Sequence, residues 1–98
     1  RIMKMDRNNR TVLMRALYAD FCANRAAGLP YGNLAALITK LHETRPGKLP
    51  LDDGEFRLAR NALNHYRNER IASGGYTDAA DTALVKLIKA KAPMWPFG

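Results

Sequence analysis

Residues 52–73 read DDGEFRLARNALNHYRNERIAS. At about 100° per residue, Phe56, Ala59, Leu63 and Tyr66 share an apolar face, and Arg57, Arg60, Asn61, Asn64, Arg67 and Asn68 fall opposite them within an arc of about 120°. Asp52 followed three residues later by Glu55 is a capping box, and Asp53 adds an acid to the first turn, where the positive end of the helix dipole favours it. Ser73-Gly74-Gly75 closes the segment. This stretch therefore predicts a helix over 53–73 with one face for a core and the other for solvent or a partner.

The flanking sequence supplies three more helices. Near Asn8 or Asn9, a plausible cap, Leu13, Met14, Leu17, Tyr18 and Phe21 begin to recur at helical spacing, and the pattern stops at Gly28, predicting a helix over 9–27. Gly28-Leu29-Pro30-Tyr31-Gly32 is a break. Asn33 is positioned to cap a helix over 33–43, whose Leu34, Leu37, Ile38 and Leu41 form a narrow seam. The connection from Glu43 to Leu51 holds Pro46, Gly47 and Pro50 and reads as the longest loop. Thr77 and Asp78 start a helix over 78–91 with Ala80, Leu84, Leu87 and Ile88 inward, Lys86 and Lys89 outward, and Lys91 in the last turn. Residues 92–98 cannot extend it. No run of apolar alternation between turn signals argues for a strand.

The expected architecture is all-α, a compact bundle or orthogonal array of about four helices in a single domain over residues 1–98, with the third helix central. Residues 1–7 are expected as a flexible arm and 92–98 as an irregular tail. With 98 residues and 47% apolar composition the chain suits one small core. No stretch is long and apolar enough for a membrane span, and no secretion signal is recognisable, so the default expectation is a cytoplasmic protein. The chain begins with Arg1, and Met3 or Met5 is the expected natural start. The lone Cys22 is expected as core. Tyr18, Tyr31 and Tyr76 are expected to pack at helix junctions.

Catalysis would need a nucleophile with a base, paired carboxylates, a metal set or a cofactor loop. None of these is recognisable. His42 and His65 lack metal-ligand spacing, His65 is expected to face Glu69 one turn on, and Asp52 with Asp53 is accounted for by capping. Neither Gly28 with Gly32 nor Gly74-Gly75 belongs to a phosphate-binding fingerprint. The expectation is a non-enzymatic binding protein without cofactor or metal.

The net charge of +7 favours polyanions or acidic surfaces as partners. Up to Arg25 there are six bases and two acids, whereas the segment 52–73 carries four of each. Arginine clamps guanine or phosphate in two-point contacts and asparagine does the same for adenine, so Arg57, Arg60, Asn61, Asn64, Arg67 and Asn68, with Arg7 and Arg10 near the start, form the candidate nucleic-acid or partner-binding set. Arg15 adds to the basic start. Three asparagines are weak helix formers to place on an exposed face, which argues for a purpose other than helix stability. A helix-turn-helix reading of helices two and three is rejected, because the entering end would present Asp52, Asp53 and Glu55 to phosphate and the connection exceeds that motif's 3–4-residue turn. Nucleic acid is the slightly favoured partner. The same face docking on an acidic protein surface, with Trp95 and Phe97 as hydrophobic anchors, is the alternative. Self-association through Leu34, Leu37 and Leu41 is the third reading. By type alone, the chain fits an accessory protein of a phage or other mobile element.

Overall fold

The computed structural model describes residues 1–90. The expectations for Lys91, the tail 92–98, Trp95 and Phe97 lie outside the described residues. The described residues are mostly helical, with four helices packed compactly and a small two-stranded sheet. Its order is β1 (Ile2–Met5), α1 (Arg7–Ala26), α2 (Gly32–Glu43), β2 (Gly47–Pro50), α3 (Asp53–Ala72) and α4 (Asp78–Ile88).

Residues 2–5 are not a loose arm but a strand, antiparallel to β2, with Met3 opposite Leu49 and Lys4 opposite Lys48. Strand side chains alternate between faces. Met3, Met5 and Leu49 accordingly enter the core, while Lys4 and Lys48 point outward. Antiparallel packing of α1 and α2 returns the chain to its own start, which allows two four-residue strands to pair across more than forty residues of sequence.

Asp6, not Asn8 or Asn9, caps α1. Its carboxylate accepts from the Asn9 amide at 2.7 Å, and the Asn9 side chain accepts from the Asp6 amide at 3.1 Å. This is a capping box with Asn in the place usually held by Glu or Gln, and it leaves Asn9 buried but satisfied. At the other end Gly28, with φ 72°, lets the Leu29 amide reach back to the Asn24 carbonyl at 2.8 Å. Gly74 repeats the device at the end of α3, with φ 74° and a Gly75-to-Arg70 bond of 2.8 Å. Tyr31, not Asn33, occupies the cap position of α2 and makes no side-chain cap bond.

The hub is α1 rather than α3: it packs extensively against α2, α3 and α4, whereas α3 packs extensively against α1 and α4 and only slightly against α2. The reason lies in the buried row of α1, Val12, Leu13, Ala16 and Leu17, in which the small Ala16 permits close approach by a neighbour. The core joins this row to Leu34, Leu37 and Leu41 of α2, Ala59, Ala62 and Leu63 of α3, and Ala83, Leu84 and Leu87 of α4. The α2 seam is thus covered within the molecule, which removes it as a self-association surface. Cys22 is exposed, contrary to expectation, because its helical position lies about 140° round from Leu17, away from the buried row. Ile88 is also exposed, at 64%, and Ala83 takes its place inside. Tyr18 and Tyr31 flank Phe21 at the α1–α2 junction, but Tyr76 is 93% exposed and packs at none.

Candidate binding surface

The capping box that starts α3 is present as the sequence predicts: Asp52 accepts from the Glu55 amide at 2.7 Å and Glu55 from the Asp52 amide at 3.0 Å. The same Glu55 oxygen takes the Lys40 ammonium at 2.8 Å, tying α2 to α3. With that end anchored, Ala59, Ala62 and Leu63 face the core and fix which side of the helix is turned outward. Arg57, Arg60, Asn61, Asn64 and Asn68 are therefore turned to solvent, and all five are exposed. Arg57 makes only a long 3.5 Å contact with the Asp53 carbonyl. The side chains of the other four make no hydrogen bond to another described residue.

Arg67 belongs elsewhere. Half-buried, it donates from Nε to the Asp81 carboxylate and so links α3 to α4. Asp81 also accepts from the Thr77 hydroxyl at 2.9 Å. The Arg67 hydrogen bond, followed by that from Thr77, holds the Asp81 carboxyl below the ordinary carboxylate range.

Arg10 is likewise occupied. Its Nε donates to the Thr44 carbonyl, and its Nη2 to those of Leu41 and His42, each at 3.1 Å. These carbonyls lie at the C-terminal end of α2, where of the three only that of Leu41 has a backbone donor among the described residues, the Thr44 amide at 3.2 Å, so Arg10 serves as a C-terminal cap supplied by a different helix. Arg7 is exposed at the start of α1, in a cleft with His42, Glu43 and Arg45. No residue of α3 lines that cleft, so the basic start and the α3 face are separate surfaces.

His65 does not pair with Glu69. Its Nδ1 lies 3.1 Å from both carboxylate oxygens of Asp20, across the α1–α3 interface. Arg70 stacks 5.1 Å from the Tyr66 ring centroid and donates to its hydroxyl at 2.8 Å. Arg57 shares a cleft between the starts of α2 and α3 with Asp52 and Glu55. That end of the face is the acidic one, and the middle, around Arg60, Asn61 and Asn64, carries the positive charge and amide groups without neighbouring acids in the helical arc.

Sequence reasoning missed a second basic cluster. Lys4 and Lys48 from the ribbon and Lys86 and Lys89 from α4 line one cleft, although more than eighty residues separate the first from the last. Only the strand register could have revealed it. Among the described residues there is no group of three or more His, Cys, Asp or Glu able to hold a metal ion, and no helix is long and apolar enough to cross a membrane. No protein family, curated protein or solved structure matches the chain.

Proposed function

We propose that this is a small, basic, non-enzymatic protein that binds nucleic acid through the outer face of α3 and acts as an accessory or regulatory factor. The observation that carries the reading is the set Arg57, Arg60, Asn61, Asn64 and Asn68, exposed along one helix face and, apart from the weak Arg57 contact, unused within the fold. Guanidinium groups satisfy phosphate or guanine, and carboxamides satisfy adenine, in the two-point geometry these side chains offer. Arg67 and Arg10 leave the contact set, since their guanidinium groups are held by Asp81 and by the end of α2. The Arg7 cleft shares no lining residue with α3 and is left out of the same footprint.

Binding is tested by fluorescence anisotropy with labelled duplex DNA, single-stranded DNA and RNA at about 50 and 200 mM salt, the range over which phosphate contacts declare themselves. Replacing Arg57 and Arg60 by Gln should weaken binding and, if both meet duplex phosphates, lower the slope of log K against log salt by about 1.8. An unchanged affinity and slope in a folded variant would refute the role of this face.

One observation favours a protein partner instead. Ile71 falls within the polar arc and is 52% exposed, an apolar group that a phosphate backbone does not use and an acidic protein groove would. Retained affinity for an acidic protein surface, with no nucleic-acid binding at either salt concentration, would establish that reading.

A further inference from the structure

The cleft between the ribbon and the end of α4 has a volume of about 490 Å³ and is lined by Ile2, Lys4, Lys48, Lys86, Lys89 and Ala90. Four of the chain's six lysines thus meet in one place, and no acid among the described residues lines it. All four are exposed, and none makes an ion pair with a described acid; among the described lysines the one that does so is Lys40, on α2.

The arrangement works against the fold. Lys4 and Lys48 are direct cross-strand partners on the outer face of the ribbon, and like charges placed directly opposite one another destabilise a sheet. Lysine on a short strand also discourages edge-to-edge aggregation, which accounts for either residue singly. It does not account for Lys86 and Lys89, which α4 adds to the same cleft at i and i+3, one helical neighbour apart. The negative end of the α4 dipole offsets part of their repulsion and none of that within the ribbon.

Four uncompensated ammonium groups call for several negative charges held close together. A carboxylate or a single phosphate supplies one or two, whereas a duplex carries one charge per roughly 1.7 Å of its axis. Lysine is a flexible point charge, suited to following a phosphate backbone and poorly suited to reading base edges, and among the described residues no aromatic ring lines the cleft to stack a base. We infer that the Lys4–Lys48–Lys86–Lys89 cleft is a second nucleic-acid contact, which grips the phosphodiester backbone without reading sequence. It rests on the nucleic-acid reading above but not on the α3 face. The two surfaces divide the work: arginine and asparagine on α3 for groups with direction, lysine in the cleft for charge.

The test compares two folded variants of the full chain with the wild type, using a labelled mixed-sequence duplex across the same salt series. Replacing all four lysines by Gln removes charge at exposed positions and relieves the cross-strand repulsion, so the variant should be at least as stable as the parent by thermal melting. Its log K against log salt should become shallower by about 3.6 if each lysine meets one phosphate, at about 0.9 per contact. An unchanged slope overturns the cleft as a contact. If the Arg57→Gln, Arg60→Gln variant loses binding while the lysine variant does not, α3 is the interface and the cleft inference fails alone. The opposite pattern supports the cleft and refutes the α3 face. No binding by the wild type to the duplex at either end of the series overturns both.

Discussion

Replacing Arg10 by Ala separates a structural arginine from a recognition arginine. In the native protein its guanidinium donates three hydrogen bonds at 3.1 Å to the carbonyls of Leu41, His42 and Thr44. The bonds to Leu41 and Thr44 are partly buried, and the one to His42 is exposed. Water can replace the exposed bond at little cost. The two others are charge-assisted, and truncation leaves the Leu41 carbonyl with the Thr44 amide alone and the Thr44 carbonyl without this donor, at about 1–1.5 kcal/mol for each lost bond, so the expected loss is about 2–3 kcal/mol. That is a large part of the roughly 5–15 kcal/mol that holds a domain together. In urea titration followed by circular dichroism the midpoint should fall by about 1–2 M at unchanged slope, because the surface exposed on unfolding is the same. Arg10→Lys should recover less than half, since an ammonium group cannot reproduce the planar fork that spans three carbonyls. A midpoint shift below about 0.3 M would show that the cap contributes little, by the same linear relation. Loss of nucleic-acid binding in a variant of unchanged stability would return Arg10 to the recognition surface.

Two further perturbations probe the ribbon and the α3–α4 link. Met3→Ala should cost about 2–4 kcal/mol in a denaturant titration, as for other fully buried side chains, while Ile2→Ala one residue away, on the exposed face, should cost far less; equal effects would contradict the strand register. Because Asp81 titrates below its usual 3.8 in the folded protein, its contribution to stability is in force above that value and is lost as the pH falls through the lower folded one. Asp81→Asn should therefore flatten the acid limb of a melting-temperature profile below about pH 4, and an unchanged limb would argue against the link.

The four helices are legible in the sequence because each signal is local: a 3.6-residue apolar period, a capping box at Asp52 and Glu55, and glycines at 28 and 74 where the backbone must turn left-handed. Elements defined by distant residues are not legible in the same way. The strand IMKM shows one polar residue among three apolar ones, and its partner GKLP sits inside what reads as a proline-broken loop, so neither carries a period of its own. The Asp6–Asn9 box escapes because Asn replaces the expected Glu or Gln. The position of Cys22 was within reach, since its angle to Leu17 follows from helical geometry alone. The candidate surface divides the same way. Periodicity turns Arg57, Arg60, Asn61, Asn64 and Asn68 outward, but nothing near Arg67 announces Asp81, and nothing near Arg10 announces the last turn of α2.

The pairing of β1 with β2 also bears on the order in which the chain assembles. Met5 meets Gly47, so the ribbon closes a loop that contains all of α1 and α2. Closing so long a loop before those helices form would cost entropy with only a few ladder bonds in return, whereas a formed antiparallel pair delivers the two ends to each other. The ribbon is then a late-fastening latch. Weakening it with Met3→Ala should accelerate unfolding in stopped-flow experiments and leave the refolding rate nearly unchanged, the signature of a contact made after the transition state.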